Sequence, residues 1–203
     1  MSRSGHTTTV RERIVHAAEE CFARHGVAKT TVETIAAAAG MSRATVYRHF
    51  SGGKDEVIRE VIIRDVGVFL AEQEKRLHGR LSAGETLVDG IMGAVAYVRG
   101  RPRLELLFAP EFAGQTGKIT GGDAALAELV TAYVRPYFDQ AQAAGQIRAE
   151  VDVADAVELV LRIVFSLITV PGPQGRTDTE TRRFLRTCVV SALVTEPYRA
   201  GTR

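Results

Sequence analysis

The stretch from Thr30 to Lys54, TTVETIAAAAGMSRATVYRHFSGGK, leaves a chain little freedom. Val32, Ile35, Ala36 and Ala39 recur at i, i+3, i+4 and i+7, the spacing of one apolar stripe on a helix. Thr30 or Thr31 caps its start, and Glu33 stands in the first turn, where the helix dipole favours a carboxylate. Gly40 ends it, since glycine takes the left-handed geometry that closes a helix. Only Met41 and Ser42 separate it from a second helix, in which Val46 and Phe50 face inward four residues apart. That leaves Arg43, Ala44, Thr45, Tyr47, Arg48 and His49 on the other sides. Small residues let a backbone approach DNA, donors reach base edges, and cations meet phosphate. The spacing therefore predicts a helix-turn-helix whose second helix reads the major groove.

Charge is distributed to suit. Residues 1–55 hold eight Lys/Arg against five Asp/Glu and four of the five histidines, while the remainder holds 18 against 19. The positive excess lies where the reader helix lies, as in a nucleic-acid module. Cys21 and Cys188, each inside an apolar helical pattern, read as two reduced core thiols. No apolar run is long enough to span a membrane, and MSRSGHTTT lacks the apolar core of a signal peptide, so a cytoplasmic protein without membrane partners is expected.

Residues 11–63 resemble the DNA-binding domain of the tetracycline-repressor (TetR) family of bacterial transcriptional regulators. The resemblance rests on a leading helix ending in F-x-x-x-G, a T-T-V-x-x-I-A-x-x-A-G helix, and an S-x-x-T-V-Y-x-H-F reader followed by a lysine. Ser51-Gly52-Gly53 places Lys54 one residue later than the commonest family spacing. The residues and the resemblance together give a DNA-binding set of Thr30, Thr31, Ser42, Arg43, Ala44, Thr45, Tyr47, Arg48, His49 and Lys54. The resemblance implies that Lys54 contacts phosphate.

The rest of the chain reads as all-α. A helix over about Val10–His25 precedes the motif and stops at Gly26. A long helix over about Asp55–Gly79 follows, carrying Ile58, Ile62, Val66, Phe69 and Leu70. It connects a DNA-binding domain, 1–55, to a helical ligand-binding and dimerisation domain, 56–203. Ser82 and Glu85 form an S-x-x-E capping box for the next helix, and Pro102 suits the first turn of a short one. PEFAGQTGKITGG at 110–122 is a loop. A helix from about Asp123 to Ala144 contains Pro136, expected to kink it.

The segment after Asp152 is apolar nearly all round and must be covered on several faces. Across the P-G-P-Q-G loop its partner runs over about Thr179–Val194. These two helices form either a buried hairpin in one subunit or half of a four-helix bundle. The family resemblance favours the second, a homodimer through Val157, Leu161, Val164, Ile168, Leu185, Val189 and Ala192.

Catalysis requires a constellation, and none is present: no H-E-x-x-H, no Glu-x-x-His pair, no cysteine cluster, no G-x-S-x-G. Glu158 and Arg162 are spaced as a supporting ion pair. No enzyme, metal or cofactor is expected. Phe69, Met92, Tyr97, Leu104 and Phe108, with Phe112, Leu129, Tyr133 and Phe165, either pack as core or line a mostly apolar ligand site reached past the 110–122 loop. The leading expectation is a homodimeric regulator, most simply a repressor, that binds an inverted-repeat operator in double-stranded DNA and answers a small-molecule effector. The alternatives are a constitutive dimeric nucleoid-type binder and a helical enzyme.

Overall fold

A computed structural model describes residues 8–77, 82–108, 123–170 and 175–195, and every described element is helical apart from one isolated bridge between Ile147 and Val194. Helix α1, Val10–Lys29, opens with a reciprocal capping box between Thr9 and Glu12. Its regular course breaks at Gly26, where φ is +77°. Helices α2 (Val32–Ala38) and α3 (Arg43–His49) follow, joined by a turn at Gly40 with φ +66°.

Helix α4, Lys54–Leu77, begins one turn later. The additional residue of Ser51-Gly52-Gly53 is absorbed by Gly53 at φ +63°, whose N–H donates to the Phe50 carbonyl at 2.9 Å. A left-handed backbone is cheapest for glycine. The expected capping threonine resolves to Thr31, whose hydroxyl accepts from the Thr34 N–H.

Beyond α4 come α5 (Ala83–Arg99), α6 (Pro102–Leu107), α7 (Ala124–Ala143) and α8 (Val153–Thr169). The last helix, α9, comprises Asp178–Leu185, a π-turn at Arg186–Val190, and Ser191–Leu193. Nothing in the apolar periodicity of Arg186–Val190 marks that π-turn in advance. Helix α7 continues on both sides of Pro136, which removes one N–H from its ladder. Ser82 caps α5 through the Glu85 N–H, but Glu85 does not close the expected box. Its carboxylate instead takes two bonds from Arg186, at 3.0 and 3.1 Å.

One continuous apolar core gathers Ile14, Phe22, Ile35, Val46, Phe50 and Val61 from α1–α4 with Val98, Leu104, Leu107 and Phe108 from α5 and α6. The reader domain thus rests on α6 as well as on α4. Two ion pairs reinforce this joint: Arg64 of α4 with the buried Glu19 of α1, and Arg59 of α4 with Asp123, the N-cap of α7. Among the described residues no helix is long and apolar enough to cross a membrane. Cys21 is buried, and burial pushes its thiol pKa up. Cys188 is exposed, which corrects the expectation of two core thiols.

Candidate nucleic-acid interface and interior cavity

The reader helix is fixed from both ends and from beneath. Ser42 caps it, its hydroxyl accepting from the Thr45 N–H at 3.1 Å, while Val46 and Phe50 are fully buried below. Arg11 holds the far end, donating to the His49 carbonyl at 2.7 Å with its guanidinium 4.2 Å from the Phe50 ring centroid. Arg13 donates to the Ala39 carbonyl at the end of α2. This anchoring leaves Arg43, Ala44, Tyr47 and Arg48 outward, with Thr45 and His49 half-buried at the flanks. Thr31 and Ser42, both exposed, share this surface with them.

Arg43 is pre-oriented. Its guanidinium contacts Glu33 of α2 at 2.9 Å and lies 5.3 Å from the Tyr47 ring centroid. The hydrogen bond to Tyr47 and the charge of Glu33 raise the arginine pKa, and Glu33 is held below its ordinary value chiefly by backbone and Thr31 hydrogen bonds.

Two of the expected DNA-binding residues are placed differently. Thr30 is 1% exposed, and its hydroxyl donates to the Gly26 carbonyl, so the side chain closes α1 instead of facing outward. The Lys54 ammonium donates to the carbonyls of Val27 (2.9 Å) and Thr30 (3.1 Å). The Val27 carbonyl also accepts from the Thr30 N–H at 3.3 Å, and the lysine adds a charged donor to both carbonyls at the end of α1. Lys54 therefore ties α4 to α1 and has a structural role beside the expected phosphate contact. Arg11 and Arg13, whose anchoring roles the sequence reading missed, stand one turn into α1, spaced to reach α2 and α3.

Below the reader domain lies a cavity of about 720 Å³ between α4, α5, α7 and α8. Phe69, Tyr97, Leu104, Phe108, Tyr133 and Phe165 line it. Met92 does not: it points to the other side of α5, against the cluster of Val88, Ile91, Leu185 and Val189. Leu129 is not among the lining residues and packs against the cluster of Phe69, Leu70, Leu126 and Val130. Phe112 and the 110–122 loop lie outside the described residues.

The residues expected at a dimer interface mostly face inward. Val157, Leu161, Val164 and Ile168 line the cavity, and Leu185 and Val189 pack against α5. A helix apolar on several faces needs several covers, and here the subunit's own cavity wall is one of them. Ala192 alone of that set is exposed, beside Thr187, Cys188 and Ser191 on α9. The lining residues the sequence reading missed include Gln73, four positions after Phe69 on the inward stripe of α4. A polar residue in register with an apolar stripe was the available signal.

A capped, exposed, basic helix laid over a small three-helix core defines a helix-turn-helix DNA-binding protein. Residues 14–61 match the model of the bacterial regulatory proteins, tetR family. Over 198 residues the chain is 26% identical to the uncharacterized HTH-type transcriptional regulator Rv1255c of Mycobacterium tuberculosis (strain ATCC 25618 / H37Rv), covering 97% of this chain and 91% of that protein. Among solved structures it resembles SmeT, the repressor of the Stenotrophomonas maltophilia multidrug efflux pump SmeDEF, at 25% identity and TM-score 0.59, covering 97% of this chain and 96% of that one. The fold also matches the TetR family repressor AlkX from Dietzia sp. at 21% identity and TM-score 0.64, covering 93% and 97%. Residues 14–61 are thus a DNA-binding domain of the tetR-family type, and the whole chain shares the fold of regulators that carry it.

Proposed function

We propose that this protein is a homodimeric, sequence-specific DNA-binding repressor whose operator affinity falls when a mostly apolar small molecule occupies the interior cavity. The observation that carries the switch is that Leu104 and Phe108 belong to two places at once. They line the cavity and they sit in the reader domain's core beside residues of α1. A ligand that displaces either one disturbs the bed on which α1 and α4 rest.

The cavity's volume falls in the range typical of small-molecule sites. A ligand shifts DNA affinity only through its different affinity for the two conformations, and a hundredfold loss requires a coupling of about 2.8 kcal/mol. SmeT, named as a multidrug efflux pump repressor, and a Bacillus subtilis FadR solved with stearoyl-CoA show that neighbours of this fold serve varied chemistry. Dimerisation through the outward faces of α8 and α9 is supported by the small side chains of Thr187, Cys188, Ser191 and Ala192, which permit close helix approach. Val170, 60% exposed at the end of α8, adds apolar surface to this side. Two readers on one dimer meet inverted half-sites one helical turn or a multiple of it apart.

The test is to select bound fragments from genomic DNA, then measure operator affinity across a metabolite collection. Loss of affinity with one compound class, abolished by filling the cavity with Ala94→Phe, is the expected result. Affinity unmoved by every compound that binds the protein would leave a constitutive DNA binder.

A further inference from the structure

The cavity's polar groups narrow what it can hold, and the narrowing rests on the cavity being a ligand site as proposed above. Among its described lining residues Asp65 is the one charged side chain, 6% exposed and already engaged within the chain. No arginine, lysine or histidine is among them. Ser82, Thr86, Gln140 and Gln146 supply uncharged polar groups at the α5 start and α7 end.

Gln73 stands in the apolar middle, where Tyr97 and Tyr133 also line the cavity. It is 6% exposed, lines the cavity, and its carboxamide makes no hydrogen bond among the described residues. It lies in the crease between α4 and α5, where Gly93 makes room. A Cβ built on Gly93 would stand 3.3 Å from Gln73 Nε2 and 3.6 Å from its Oε1. A carboxamide that opens on the cavity without a partner among the described residues favours a molecule that completes its hydrogen bonds.

We propose that the cavity selects an uncharged molecule with an apolar body and a hydrogen-bonding group, such as an amide, hydroxyl or ketone, that pairs with the Gln73 carboxamide. A carboxylate or a phosphate-bearing ligand would lose its hydration shell beside Asp65 with no cation among the described lining residues to replace it. A cation meets a carboxylate that is already occupied. The carboxamide offers both a donor and an acceptor, so it matches neutral groups of either kind.

Calorimetric titration of the full chain with decanamide, decanol, decanoate and decyltrimethylammonium tests the choice, since these probes share one chain and differ in head group. Naphthalene, which has no hydrogen-bonding group, reports the apolar cavity alone. Decanamide and decanol should bind at least tenfold more tightly than either ion. Gln73→Leu should weaken decanamide by about tenfold while leaving naphthalene within twofold. Gly93→Ala, which displaces the carboxamide without removing it, should weaken decanamide severalfold with naphthalene unchanged. Decanoate or the ammonium binding as tightly as decanamide, or decanamide indifferent to Gln73→Leu, would overturn the assignment while leaving a ligand cavity. Failure of naphthalene and all four decyl probes to bind would overturn the cavity reading and this assignment with it.

Discussion

Lys54 and Thr30 are joined across the reader domain: the lysine ammonium donates to the threonine carbonyl at 3.1 Å and, beside it, to that of Val27. The same side chain that opens α4 thereby closes α1. Lys54→Met should lower stability by about 1–2 kcal/mol, because it removes two charge-assisted bonds and leaves the Thr30 carbonyl without this donor. Thermal melting should fall by roughly 3–6 °C. An unchanged slope of DNA affinity against salt would leave the ammonium this structural role alone. A slope reduced by nearly one unit per half-site would place it on the DNA backbone as well.

Arg43 carries base recognition. Guanine is the commonest partner of arginine in the major groove, so Arg43→Ala should cost about 1–3 kcal/mol and relax preference at one position in each half-site. Glu33→Gln should leave that preference in place but loosen it, because the arginine loses the carboxylate that orients it. Binding measured across an operator with each base substituted in turn checks both variants. An Arg43→Ala protein with unchanged preference would put the reader in a different register.

Asp123 ties pH to stability. Its carboxyl is held below the ordinary range first by the Arg59 hydrogen bond, against the opposing effect of burial, and further by the backbone N–H groups of Leu126 and Ala125. A depressed folded pKa means the stabilisation is complete above the unfolded value of about 3.9 and fades as pH falls through the folded value. Asp123→Asn keeps a capping side chain but loses the charge. The gap in denaturant midpoint between wild type and this variant should therefore be widest near neutral pH and close below about pH 4. A gap independent of pH would show that Arg59 contributes nothing through charge.

The two faces of α9 give opposite expectations. Val189 is 3% exposed inside the subunit, so Val189→Asp should unfold the chain through a buried, unpaired charge. Ala192 is exposed, so Ala192→Asp should leave the helical circular dichroism intact and release monomers in sedimentation. A wild-type monomer at micromolar concentration would contradict the dimer outright.

The reader domain was legible because its signals are local. Thr31, Gly40, Ser42, Val46 and Phe50 act within a few residues of themselves, and each lies where its type predicts. The body was less so. An apolar stripe states that Val157 and Val189 must be covered but not by what, and the subunit's own helices cover them. The structural role of Lys54 was hidden for a related reason: a cation beside a reader helix suits phosphate, and only the fold brings the Val27 and Thr30 carbonyls within its reach. Met92 and Leu129 share the character of the true lining residues and differ only in which side of their helix meets the cavity.

Selection of bound sequences from random DNA, followed by footprinting and sedimentation of the complex, tests the central claim most directly. An inverted repeat is expected, its half-site centres one helical turn or a multiple of it apart, protected by one dimer of the full chain, with discrimination lost at one position per half-site in Arg43→Ala. Uniform protection without an enriched sequence, unchanged by that substitution, would contradict it.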